Sequence, residues 1–143
     1  MGHSAGAFNV MSAVYHPKPN TIQCLGNIKA IFGLAGPYHF DYKGDPLAED
    51  AFDQSISYKE VMPYYFVNQN HIKHYLLMAE NDQLVKKENT FDLDQALRQS
   101  GNHSHIAVIP KTGHITILAS LSSFVSHYFR TKRTILHFLD EVF

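Results

Sequence analysis

Read for the spacing of its apolar positions, the chain divides into alternating helical and strand-like segments. From Ala5 to Tyr15, small and apolar residues (Ala7, Phe8, Met11, Ala13, Val14, Tyr15) recur at helical spacing. His16-Pro17 ends that run, because a residue before proline is pushed out of the helical region. The short apolar run Ile28 to Pro37, closed by Gly36-Pro37, predicts a buried strand entering a turn. Ile72 to Ala79 predicts a second strand, with Glu80-Asn81-Asp82 as the turn after it. Glu88 to Ser100 predicts a helix with the apolar stripe Phe91, Leu93, Ala96 and Leu97, and Gly101 suits its left-handed C-terminal cap. His105 to Pro110 predicts a third strand, and Lys111-Thr112-Gly113-His114 a loop. A final helix is expected over Ser123 to Phe143, carrying Phe124, Tyr128, Ile135, Phe138, Leu139 and Val142.

Between the first two strands the pattern lapses. Tyr38 to Ser57 is rich in Asp, Gly and Pro without a sustained period, which predicts a long excursion with at most one short helix. Tyr58 to Phe66 reads as a helix interrupted near Pro63. Strands alternating with helical segments predict an α/β fold, a mostly parallel sheet joined by right-handed crossovers. No repeat or low-complexity segment divides the 143 residues, which suit a single domain.

Composition narrows the partners. Apolar residues at 45% against 17% charged describe a globular chain rather than a disordered one. A net charge of −1 supplies no basic stripe to follow phosphates, so no nucleic-acid partner is expected. The longest apolar run, Ala30 to Ala35, is too short to cross a bilayer. The one cysteine, Cys24, excludes an intramolecular disulfide and reads as a small buried hydrophobe at a loop-to-strand junction. The compartment is left open.

Chemistry enters at the N-terminus. Gly2-His3-Ser4-Ala5-Gly6 matches G-x-S-x-G, the nucleophile elbow, in which a serine sits on a strained strand-to-helix turn. Glycines two residues either side are expected to let that turn close. The amphipathic segment following without a gap is the context an elbow requires. The Ala5 N–H is the expected oxyanion donor. A serine hydroxyl needs a base, and the base a carboxylate to orient it, with the acid preceding the histidine in the chain. Asp82 follows the second strand, and His114 lies in the loop after the third. Both thus fall at strand C-terminal ends, where sites of open α/β sheets gather.

Four segments resemble the α/β-hydrolase carboxylesterases: Met1-Gly2-His3-Ser4-Ala5-Gly6-Ala7, Ile31-Phe32-Gly33-Leu34-Ala35-Gly36-Pro37-Tyr38, Glu80-Asn81-Asp82-Gln83-Leu84-Val85 and Lys111-Thr112-Gly113-His114. Glu80 departs from the glycine that family often has before its acid. The resemblance implies the C-terminal portion of an α/β-hydrolase domain over residues 1–143, starting at the elbow. Its earlier strands and a His-Gly-Gly type loop, supplying the second oxyanion donor, are expected upstream. It further implies a Ser-His-Asp hydrolase of small-molecule esters that forms an acyl-enzyme and uses no cofactor. Amide hydrolysis of the formamidase type is an alternative. A second alternative is an inactive or half-enzyme fragment, acting only through association with another copy or with a missing N-terminal half.

Other candidates read as structural. His103 and His105, two apart, and His71 and His74 lack carboxylate or thiolate support for a metal, so surface or capping positions are expected and no metal site. His3 is expected to pack rather than react, and His39 to be exposed. Asp92 and Asp94 read as a solvated helix face, and Asp140 and Glu141 as exposed. Asp41, Asp45, Glu49, Asp50 and Asp53 read as a solvated loop. A cap over the acyl pocket, built from residues 38–66 with Tyr64, Tyr65 and Phe66, is the further expectation. Arg130, Lys132 and Arg133 read as ordinary helix-surface charge.

Overall fold

The structure is a computed structural model that describes residues 1–17 and 25–143. Cys24 lies outside the described residues. Four strands, β1 (Gly2–His3), β2 (Ala30–Leu34), β3 (Lys73–Ala79) and β4 (Ser104–Ile109), form one parallel sheet in chain order. β1 joins β2 through Gly2 opposite Gly33, and β3 and β4 end together at Ala79 opposite Ile109. The helices are α1 (Ala5–Tyr15), α2 (Glu88–Gln99), α3 (Thr116–Ala119) and α4 (Thr131–Val142).

Strand side chains alternate between two cores, as a sheet covered on both faces requires. On one side Ile31 and Leu76 pack with Ala7, Met11 and Tyr15 of α1 and Leu93 and Leu97 of α2. On the other, Phe32, Leu34, Tyr75, Leu77 and Ile109 pack with Ile117, Ile135 and Phe138. Leu76, Leu93 and Leu97 are fully buried, each stabilising the fold by about 1.5–3 kcal/mol.

Helix ends follow local chemistry. His16 is extended before Pro17, ending α1 where proline demands. α2 ends in a Schellman motif: Gly101, at φ 81°, donates to the Arg98 carbonyl, and Asn102 to that of Leu97. The final helix is shorter than periodicity predicts. Residues 123–130 are turns, α4 begins only at Thr131, and the short α3 was not anticipated. Phe124 and Tyr128, counted in the expected stripe, are 87% and 74% exposed, so no packing holds that stretch helical.

The excursion contains no α-helix, and Tyr58–Glu60 and Pro63–Phe66 are separate 3₁₀ turns. It has its own small core: Tyr42, Ala48 and Met62 are buried, and Tyr42 stacks on Phe52 at 4.6 Å. Asp41, Asp45 and Asp53 accept N–H groups two residues ahead, the turn chemistry that aspartate favours. Gly33 and Gly36 have a steric reason here. A Cβ at Gly33 would lie 2.1 Å from the Tyr38 hydroxyl and one at Gly36 2.3 Å from the Tyr38 ring, and the tyrosine is fully buried.

Candidate active site

Ser4 sits between β1 and α1 at φ 53°, ψ −124°, a conformation that L-residues adopt only under constraint. Its N–H donates to the Leu34 carbonyl, tying the turn to the end of β2. Gly2 is required: a Cβ there would lie 2.2 Å from the Gly6 carbonyl oxygen. The symmetric expectation for Gly6 is corrected, because a Cβ at Gly6 meets nothing within 4 Å. The elbow's steric demand falls on one side only.

The structure brings Ser4, His114 and Asp82 together. Ser4 Oγ lies 2.8 Å from His114 Nε2, and His114 Nδ1 lies 2.8 Å from Asp82 Oδ2. A carboxylate only accepts, so a neutral imidazole must carry its proton on Nδ1, leaving Nε2 to accept from the serine hydroxyl. The second carboxylate oxygen of Asp82 accepts the N–H groups of Leu84 and Val85, both at 2.9 Å. The side chains of His114 and Asp82 are 10% and 4% exposed.

At the start of α1, the N–H groups of Ala7 and Phe8 bond the Ser4 carbonyl. Those of Ala5 and Gly6 belong to the set a helix cannot satisfy internally. Ser4, Ala5 and His114 open onto a cavity of about 690 Å³. Its walls include Phe8, Phe40, Phe52, Leu84 and Val85, with Asn9, Asn89, Asp41 and Asp45 as polar members. Residues 40–52 of the excursion thus line the cavity, whereas Tyr64, Tyr65 and Phe66 do not. Phe8 stands one helical turn after Ser4, a spacing from which its place beside the serine was readable. The excursion residues offer no such signal.

The loops carrying Asp82 and His114 are laced together. Glu80 Oε2 accepts the Lys111 N–H at 2.8 Å, and the Asn81 N–H donates to the Thr112 carbonyl at 2.8 Å. His3 lies against the His114 ring, centroids 4.9 Å apart, and its Nε2 bonds the His114 carbonyl at 2.7 Å. Sequence reasoning expected His3 to pack, which it does, but missed this bond.

Elsewhere several expectations are corrected. His39 is half-buried rather than exposed. Its Nδ1 lies 2.6 Å from Asp92, its Nε2 bonds Tyr65 Oη at 2.9 Å, and its ring stacks on Tyr64 at 3.9 Å. Asp92 therefore has a partner, and Asp94, 15% exposed at the side chain, binds Ser104 and Arg98. The partners His39 and Ser104 lie on other elements, out of reach of a helix-face argument, whereas Arg98 stands one turn along α2 and its pairing with Asp94 was readable. His74 is fully buried, unlike a surface or capping histidine. It bonds Tyr15 Oη and the His103 carbonyl, and desolvation lowers its pKa from 6.5 to about 4. His71, His103 and His105 are exposed, as are Asp140, Glu141, Arg130, Lys132 and Arg133. No cluster of three or more metal-ligating side chains occurs among the described residues, and none of their helices is long and apolar enough to cross a membrane.

Comparison with known proteins places this chain in a family. The model of the prolyl oligopeptidase family matches residues 1–143. The chain belongs to the prolyl oligopeptidase family. That family lies within the α/β-hydrolase superfamily of serine hydrolases, as the resemblance of the four sequence segments implied. A search of curated proteins finds no match. Among solved structures, the propionate-bound esterase Est2 of Thermogutta terrifontis superposes with a TM-score of 0.71 at 17% identity, covering 99% of this chain and 54% of that one. The same esterase phosphoramylated by tabun gives 0.71 at 16% identity, over 99% and 53%. Dipeptidyl peptidase 4 of Porphyromonas gingivalis gives 0.66 at 18% identity, over 97% of this chain and 19% of that one. The chain thus has the α/β-hydrolase fold and spans about half the length of the esterase structures it matches.

Proposed function

We propose that this chain carries the reacting groups of a serine hydrolase that cleaves carboxylic esters through an acyl-enzyme. The observation that carries the reading is the unbroken hydrogen-bonded path from Ser4 through His114 to Asp82, ending on a buried, doubly bonded carboxylate. Ser4 Oγ attacks the ester carbonyl while its proton passes to His114 Nε2. Asp82 stabilises the imidazolium through Nδ1–H. The tetrahedral oxyanion accepts from the Ala5 N–H at the positive end of α1. The Nε2 proton then goes to the leaving alkoxide, and the alcohol departs. Water, deprotonated by His114, attacks the acyl carbonyl and frees the acid, returning the proton to Ser4. No cofactor enters these steps.

Phe8, Phe40, Phe52, Leu84 and Val85 along the cavity suit an apolar acyl or alkyl group. Residues 40–52 serve as the wall of that pocket, within the excursion expected to cap it. The prolyl oligopeptidase family supports a second reading, cleavage of peptide bonds by the same groups. The named esterase neighbour is phosphoramylated by tabun, which recommends an organophosphorus probe here. Wild-type chain is expected to gain the mass of one fluorophosphonate adduct, and Ser4→Ala none. A folded wild-type chain that gains no adduct would refute the assignment. Faster release from p-nitrophenyl esters than from prolyl p-nitroanilides separates the two readings.

A further inference from the structure

Glu80, Asn81 and Asp82 are consecutive, and each binds a different part of the loop that carries His114. Asn81 acts through its backbone, which any residue there would supply. Asp82 holds the ring. Glu80 alone acts through a side chain on the loop's backbone: its own N–H extends the ladder to the Ile109 carbonyl, and its Oε2 crosses to the Lys111 N–H. Lys111 stands at φ 63°, left-handed for a residue with a Cβ. Immediately beyond it, Thr112 is fully buried and its hydroxyl bonds the Ile109 carbonyl. The bend at Lys111 therefore sets the path from β4 to His114, and the side-chain acceptor of Glu80 secures it.

We propose that Glu80 is a positioning residue, fixing the Lys111 bend and thereby the distance between His114 Nε2 and Ser4 Oγ; this rests on the serine-hydrolase reading above. A shorter or apolar side chain releases the Lys111 N–H and lets φ relax toward negative values, carrying His114 away from the serine. Glutamine retains an acceptor oxygen at the same reach. The role therefore depends on the acceptor and not on the net charge.

The test compares wild type, Glu80→Ala and Glu80→Gln in the full chain by two measurements. In fluorophosphonate labelling, Glu80→Ala is expected to lower the limiting rate roughly tenfold at an unchanged half-saturating probe concentration, with Glu80→Gln within about twofold of wild type. In NMR, Glu80→Ala is expected to speed amide exchange at Lys111 and to broaden the His114 Nδ1 proton signal, and Glu80→Gln to do neither. Wild-type behaviour of Glu80→Ala in either measurement overturns the proposal, as does a Glu80→Gln variant impaired as severely as Glu80→Ala. A merely structural role would lower thermal stability without touching the labelling rate or the Nδ1 signal. If wild type itself fails to label, the serine-hydrolase reading falls, and the exchange and Nδ1 signals alone decide the role of Glu80.

Discussion

Two hydroxyl–imidazole–carboxylate chains occur in this molecule with nearly the same bond lengths. In one, Ser4, His114 and Asp82 are joined at 2.8 and 2.8 Å; in the other, Tyr65, His39 and Asp92 at 2.9 and 2.6 Å. What differs is everything around the bonds. Asp82 is 4% exposed at the side chain and accepts two further N–H groups, while Asp92 is 38% exposed. Ser4 stands on a strained turn at a helix N-terminus facing a cavity. Tyr65 lies on a 3₁₀ turn outside that cavity, and desolvation with its neighbour Tyr58 pushes its phenol up to about 12. The second chain ties the excursion to α2. The same relay of hydrogen bonds thus serves as a scaffold in one setting and, under the proposed function, as a reactive chain in the other.

The comparison breaks most sharply at the two acids. Asp82→Asn is expected to slow fluorophosphonate labelling by roughly 10³–10⁴-fold, since the amide favours the wrong imidazole tautomer, while Asp92→Asn stays within about twofold. Equal losses would mean that the second chain also serves the serine.

His74 adds a third imidazole, whose bonds run to the Tyr15 hydroxyl and the His103 carbonyl, with Asn70 donating to that same hydroxyl. Its folded pKa near 4 lies below the ordinary 6.5, so the unfolded chain binds the proton first as pH falls. The stability it contributes is whole above pH 6.5 and is lost on descending to pH 4, by up to roughly 3 kcal/mol. Urea unfolding across that window measures the slope, and His74→Asn should flatten it. An unchanged slope in the variant would assign the acid sensitivity elsewhere.

Gly2→Ala against Gly6→Ala sharpens what holds the serine. The first is expected to destabilise the chain by about 1–3 kcal/mol and to abolish labelling, the second to leave labelling intact. The smallest effect belongs to Tyr65→Phe, which should cost about 1 kcal/mol in thermal unfolding and nothing in labelling.

Much of this arrangement is legible in the chain. α1 begins and ends where Ser4 and Pro17 predict, β2 and β3 lie within their apolar runs, and β4 begins one residue before its expected start at His105. Order along the chain, with Asp82 and His114 each just past a strand, suffices to choose them among many acids and ten histidines. Periodicity fails at Phe124 and Tyr128, whose spacing imitates a stripe that nothing covers, and no Gly or Pro marks the real start of α4 at Thr131. The His39 network is invisible for another reason: its partners Tyr65 and Asp92 lie 26 and 53 residues away, brought together only by packing. Glu80 is noticeable in sequence as a departure from a family glycine, but its reach to Lys111 depends on the pairing of β3 with β4.

The Ser4–His114 bond spans 110 residues, and the sheet runs in chain order from β1 to β4. A ribosome therefore delivers the serine 110 residues ahead of its imidazole. β1, β2 and β3 hold every partner needed to pair with one another beforehand, but no partial sheet gives Ser4 a base. Loop closure over so long a span comes late in folding. Under the proposed function the hydroxyl is consequently silent until β4 has joined β3, and its arming reports that pairing.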